Sequence, residues 1–190
     1  TPTSGIIVSE DGATTDTFTI KLNSEPNSLV IVNISVADSS EATVTPSTIT
    51  FSPSASVSTN GHWDFNRTIT VDGVDDDLVD GSIGYNINVS TVSGDSLYTG
   101  LSQAVAATTT DDDSVGITVS ETTLGVQESG TNATYSITLE SEPTDDVTIN
   151  VSSQDHGEVS VDLYSVTFTA INWNVPRFIK VTGVDDDIAD

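Results

Sequence analysis

The chain has 190 residues, enough for one or two domains, and 35% of them are apolar. Four Lys and Arg stand against 29 Asp and Glu, a formal net charge of -25; a field of that sign repels phosphate backbones and anionic bilayers and argues against nucleic acid or lipid as partners. Cysteine is absent, which excludes disulfides and thiolate metal sites and leaves oxygen-ligated metals open.

In chain order, period-two alternation of apolar with Thr, Ser, Asn or charged residues predicts strands near 17–22, 29–36, 48–51, 67–72, 83–90 and 102–109. Further strands are predicted near 116–120, 134–139, 146–152, 165–168 and 177–182. No segment carries helical periodicity, and Gly, Pro, Asn and Asp turns separate the short runs. The expected fold is therefore all-β, with tandem immunoglobulin-like antiparallel sandwiches.

The chain repeats itself. FTIKLNSEP at Phe18–Pro26 matches YSITLESEP at Tyr135–Pro143 at an offset of 117, and Val30, Val32, Ile34, Ile49 and Phe51 fall on Val147, Ile149, Val151, Val166 and Phe168. Glu10 pairs with Glu128. Further on the offset is 110: Trp63 meets Trp173, and VDGVDDDLVD at Val71–Asp80 meets VTGVDDDIAD at Val181–Asp190. Copy one thus holds a polar insertion around Ser52–His62, expected as an exposed loop. The two copies are assigned to residues 1–113 and 114–190. Copy one lacks a counterpart of Gly116–Ser120 and copy two lacks one of Gly81–Asp113, so the chain reads as an excerpt cut out of register. Thr1 in place of an initiator Met fits an excerpt.

The strands also place the acids. Each strand of an antiparallel sandwich carries the chain to the opposite end, so two strands bring it back. Glu10, Asp38, the group Asp75, Asp76, Asp77 and Asp80, and the triplet Asp111, Asp112 and Asp113 are each separated by a pair of strands and are expected at one end. An independent traversing strand at Ala42–Thr45 would break that count; a short edge segment is expected there instead. Copy two repeats the pattern with Glu128, Asp155, Asp185, Asp186, Asp187 and Asp190. A single Asp triplet in an acidic chain is ordinarily a solvated turn, but three at repeat-defined positions are not explained that way. Two like charges ~4 Å apart repel by roughly 4 kcal/mol at an effective dielectric near 20. Ca²⁺, which accepts about 6 to 8 oxygens in loose geometry, suits such loops better than Mg²⁺. Zinc is disfavoured because His62 and His156 occupy non-equivalent positions and no Cys exists.

GVDDDLVD at Gly73–Asp80 and TTDDDSVGI at Thr109–Ile117, together with Glu10 and Asp38, resemble the acidic signatures of Calx-β domains. That family includes the calcium-sensing loop of sodium/calcium exchangers, an integrin β subunit and many bacterial surface proteins. The resemblance implies a Calx-β-type sandwich with calcium ions at one end, held by Glu10, Asp38, Asp75, Asp76, Asp80, Asp111, Asp112 and Asp113, with Asp77 bridging or behind them. Asp80 stands where the exchanger pattern often has Glu, and copy two lacks its closing Asp triplet, so its site is expected to be incomplete or weak.

No Gly-x-Ser-x-Gly or His-Glu-x-x-His pattern is present and no nucleophile sits with a base, so the chain is not expected to be an enzyme. No apolar run reaches the ~20 residues that cross a bilayer, so no direct membrane insertion is expected. Low Lys with high Asp, Ser and Thr points to the cell surface or the extracellular space. The expected role is a calcium-rigidified structural or adhesive module that contacts neighbouring repeats of its own chain and a cell-surface or matrix ligand. The alternatives are a ligand- or carbohydrate-recognition module, with the insertion as its binding loop, or a non-catalytic segment of a secreted hydrolase. Trp63 and Trp173 are expected to pack on the sandwich edge rather than stack on sugars.

Overall fold

The computed structural model describes residues 5–53 and 61–185. They fall into two compact units, one within Thr1–Asp76 and Asp80–Asp112, the other within Asp77–Val79 and Asp113–Asp190. Among the described residues every regular element is a β-strand, and no helix long and apolar enough to cross a membrane occurs.

In the first unit β1 (Ile6–Ser9), β3 (Val30–Val36), β5 (Thr48–Phe51), β7 (Ile83–Ser93) and β8 (Ser102–Thr110) form a sheet in the order β1-β8-β7-β3-β5. Facing it are β2 (Asp16–Ile20), β4 (Ala42–Thr45) and β6 (Arg67–Gly73), in the order β2-β6-β4. Alternation decides which residues meet between the sheets: Val30, Val32, Ile49, Phe51 and Ile87 from the larger sheet, Phe18, Ile69 and Val71 from the smaller, all buried. Each such side chain contributes about 1.5–3 kcal/mol by leaving water. Trp63 packs against this core at its edge.

Two short strands of the first unit, and β12 (Val159–Val161) of the second, depart from the predicted set. β1 pairs parallel with β8, Ile6 opposite Ala107 and Ser9 opposite Thr110; Ile6, Ile7 and Val8 are apolar in succession, so it lacks the alternation by which the other strands are read. β4 is a strand in its own right, pairing antiparallel with β6. It does not reverse the placement of the acids, because β5 pairs antiparallel with β3 and so runs in the same sense as β4. The two share one passage between the ends, the first half in one sheet and the second half in the other. β3, β6 and β8 therefore all finish at the end where β1 finishes.

In the second unit β9 (Ile117–Val119), β10 (Asn132–Leu139), β12 (Val159–Val161) and β14 (Arg177–Gly183) form a sheet in the order β12-β14-β10-β9, and β11 (Val147–Asn150) pairs with β13 (Ser165–Phe168). Its core is smaller: Ile137, Val166, Phe168 and Ile179 are buried, with Tyr135, Leu139, Ile149, Val151 and Val161 partly so. The local construction follows the first unit closely. Leu22 N–H donates to Trp63 O at 3.1 Å, and Leu139 N–H to Trp173 O at 3.1 Å.

Of the insertion, residues 54–60 lie outside the described set. Its base closes where Ser52 N–H donates to Gly61 O at 2.7 Å.

Candidate metal centre

The acidic end of the first unit is assembled by backbone contacts before any side chain is considered. Parallel pairing sets Ser9 beside Thr110, and Glu10 N–H then donates to Thr110 O at 3.2 Å, so Glu10 lies next to the start of the Asp111–Asp113 triplet. Gly12, at φ 70°, turns the chain back after it. Gly73 is required by close approach: a Cβ there would lie 2.1 Å from Ser9 O. That contact brings the β1 exit against the segment leading into Asp75 and Asp76. On the other side Val74 N–H donates to Glu41 O at 3.0 Å, and the buried Thr109 hydroxyl donates to the same carbonyl at 3.0 Å.

Two carboxylates are enclosed by this framework. Glu10 is 2% exposed and Glu41 5% exposed, and neither Glu10 Oε2 nor Glu41 Oε2 accepts a hydrogen bond. Buried carboxylates of ordinary proteins are paired or hydrogen-bonded, because desolvating the charge is otherwise costly. One carboxylate oxygen each from Glu10, Asp111 and Asp113 lies within 4.8 Å of the others. Burial pushes the Glu10 carboxyl up to about 7, and the charges of Asp76, Asp111, Asp80 and Glu41 add to the rise. Glu41 is raised by burial first, then by Asp80, Asp38 and Asp76. Both shifts have the same two causes, loss of water around the carboxylate and the negative charge of its neighbours.

Of the residues singled out by sequence, the structure brings Glu10, Asp38, Asp76, Asp80 and Asp111 to this end, and Asp113, the residue after Asp112 at which the first unit stops, offers the third ligand atom of the Glu10–Asp111 group. Asp38 is exposed and its Oδ1 accepts the Ser40 N–H at 3.2 Å and the Ser40 hydroxyl at 2.5 Å. Asp111 Oδ2 accepts Gly81 N–H at 2.6 Å. Asp75 and Asp112 are exposed. Asp77 belongs with the second unit, where its carbonyl accepts Glu142 N–H at 2.7 Å. Glu41 was not singled out, although a signal existed: at the 117 offset it falls on Glu158, three residues after Asp155 as Glu41 is three after Asp38.

In the second unit Glu128 and Glu158 line one cleft with Gln127 and Gly183. Gly183 repeats the close approach of Gly73, its Cβ position being 2.2 Å from Gln127 O, and Val184 N–H donates to Glu158 O at 2.9 Å. Here Glu128 is only half-buried and Asp155 and Asp185 are exposed. Asp155 Oδ1 is occupied locally by Gly157 N–H at 3.0 Å. Among the described residues no trio of ligand atoms gathers in this unit; Asp186, Asp187 and Asp190 lie outside them. His62 contacts Asp64 in the base of the insertion and His156 is exposed.

No family model and no curated protein matches the chain. Among solved structures, CBD12 from CALX1.2 is similar with a TM-score of 0.38 and 13% identity, over 95% of this chain and 73% of that one. The calcium binding domain CBD12 of CALX1.1 gives 0.37 and 14%, over 96% and 74%. A protein of unknown function from Porphyromonas gingivalis W83 gives 0.39 and 9%, over 95% and 80%. The chain itself is an all-β protein of sheets that are antiparallel apart from the β1–β8 pair, arranged as β-sandwiches.

Proposed function

We propose that the acidic end of the first unit binds calcium and that the chain is a non-catalytic structural or adhesive module, made of two tandem Calx-β-like copies, of an extracellular protein. The observation that carries this reading is the Glu10 carboxylate: 2% exposed, with one oxygen that accepts no hydrogen bond, within 4.8 Å of ligand atoms on Asp111 and Asp113. A hard cation satisfies that oxygen and offsets the repulsion around it. The oxygen-only donor set and the loop origin of most ligands favour Ca²⁺ over Mg²⁺, which demands a tight octahedron.

Glu10, Asp111 and Asp113 would hold the ion most directly, with Glu41, Asp38, Asp76 and Asp80 supplying further oxygens. Calcium binding there would order Asp111–Asp113, the segment that leads from β8 into β9, and so restrict the connection between the copies. Extracellular modules of this kind work with dissociation constants of about 10⁻⁴–10⁻³ M, matched to calcium outside cells. The low Lys and high Asp content supports the same location. The non-catalytic part of this reading rests on treating the clustered acids as ligands rather than as an acid–base pair.

The test is calorimetric titration of the whole chain with CaCl₂ and with MgCl₂, with small-angle scattering in calcium and in chelator. Saturable binding that strongly prefers Ca²⁺, with a narrower distribution of dimensions in calcium, is expected. Absence of binding up to ten millimolar Ca²⁺ would remove the proposal.

A further inference from the structure

We propose that the outer face of the β12–β14 pair in the second unit binds a neutral polysaccharide through the rings of Phe178 and Tyr164. Alternation along β14 buries Ile179 and Val181 and leaves Phe178 and Lys180 on the outer side of the sheet. On β10 Ile137 is buried, so Ser136, which stands opposite Phe178, faces outward with it. Val161 of β12 packs on the core and the next residue, Asp162, turns outward. Lys180 N–H donates to Asp162 Oδ1 at 2.8 Å and Asp162 N–H to Lys180 O at 3.1 Å, which holds the two side by side. Two residues further on, where the chain crosses to β13, Tyr164 is 66% exposed; Phe178 is 65% exposed, and no other aromatic ring of the chain reaches that degree.

The first unit supplies the contrast. Phe178 and Lys180 repeat Thr68 and Thr70 at the offset of 110, and Asp162 and Tyr164 repeat Thr45 and Ser47 at 117. The backbone agrees with the alignment. Thr68 stands opposite Thr19 as Phe178 stands opposite Ser136, and Ser47 O accepts Ile34 N–H as Tyr164 O accepts Val151 N–H. Ser47 and Thr68 are exposed although β7 and β8 are in place in their unit, because those strands join the opposite sheet. The exposure of Phe178 and Tyr164 therefore belongs to these positions rather than to any strand that one copy lacks. Where the first unit carries only hydroxyls, the second carries two rings, a cation and a carboxylate.

That set of groups selects the ligand. Large exposed rings mark a contact surface. A bilayer or an apolar protein surface asks for a contiguous apolar patch, whereas Phe178 shares its face with Ser136, Lys180 and Asp162. The net charge of -25 repels anionic polymers. A neutral pyranose meets both conditions: its C–H face lies on an aromatic ring, and its hydroxyls donate to the Asp162 carboxylate and accept from the Lys180 ammonium. A sheet face, unlike a cleft, admits a polymer rather than one small sugar.

Affinity electrophoresis of the intact chain in native gels containing xylan, galactomannan, dextran or hydroxyethyl cellulose, with alginate as the anionic counterpart, tests this. At least one neutral polymer should retard the native chain more than alginate does. The double variant Tyr164→Ser, Phe178→Thr installs the residues that the first unit carries at these positions; it should weaken retardation at least about tenfold with chemical denaturation unchanged. Lys180→Thr should weaken it with both rings in place. No retardation by any neutral polymer overturns the proposal, as does retardation that survives both variants or that alginate produces equally. Self-association in sedimentation velocity that the double variant abolishes, with no polymer bound, gives the face to a second copy and overturns it as well.

Discussion

The two acidic ends share a motif and differ in what encloses it. Both have a glutamate after a short extended segment, a glycine pressed against that segment, and a second glutamate whose carbonyl accepts a backbone N–H from the residue after the glycine. In the first unit β8 runs beside β1, buries Glu10 and supplies Asp111. In the second unit no described strand runs beside Val126–Glu128, and Glu128 remains half-buried. The comparison teaches that spacing along the chain gathers the carboxylates, while a neighbouring strand turns them into a desolvated site. Repulsion of roughly 4 kcal/mol per close pair at an effective dielectric near 20 then matters only where water is excluded.

Calcium removal is the largest expected break in that comparison. At a hundredfold excess over the dissociation constant an ion contributes about 2.7 kcal/mol, which for a unit of about 100 residues is on the order of 10 °C in melting temperature. Scanning calorimetry in calcium and in chelator should therefore move the transition of the first unit and leave that of the second nearly still. Equal shifts in both would erase the distinction. Next comes Gly73→Ala, which forces a methyl onto Ser9 O and should cost about 1–3 kcal/mol, read by chemical denaturation. Gly183→Ala should cost its own unit a similar amount, since the close approach is common to both, but only the Gly73 variant should weaken calcium binding.

Glu10→Gln sharpens the contrast further. It should lower calcium affinity at least about tenfold, or 1.4 kcal/mol, while raising the stability of the metal-free chain, because a buried charge is removed. Glu128→Gln should change neither quantity measurably by titration and melting. A further contrast lies in pH dependence. The folded carboxyl of Glu10 sits at about 7 against an ordinary 4.5, so the folded chain holds this proton more tightly than the unfolded one. Its contribution to stability is full below 4.5 and is lost as pH rises through about 7; Glu41 is shifted in the same direction. Denaturation of the metal-free chain from pH 4.5 to 8 should show that decline. Saturating calcium should flatten it, with protons released on binding near pH 6–7.

The all-β class was legible because Phe18, Val32, Ile34, Ile49, Phe51, Ile69 and Val71 alternate with polar residues and all face the core. β1, β4 and β12 were not: Ile6, Ile7 and Val8 are apolar in succession, and β4 and β12 carry only small apolar side chains, Ala42 with Val44 and Val159 with Val161. Glu41 escaped because it stands alone between Ser40 and Ala42 rather than in an acidic run, although Glu158 marked it through the repeat. Asp77 shows the opposite failure: adjacency within a triplet does not decide which unit a residue joins, and its backbone pairs with Glu142. Burial of Glu10 depends on β8, about a hundred residues away in sequence, and no local pattern announces such a contact.

Diffraction from crystals grown in calcium, with the ions located by their anomalous signal, tests the central claim most directly. An ion is expected within about 2.3–2.6 Å of the Glu10 carboxylate, shared with Asp111. Ions found only on exposed acids such as Asp155 and Asp185, with the Glu10 carboxylate still uncoordinated in saturating calcium, would contradict it.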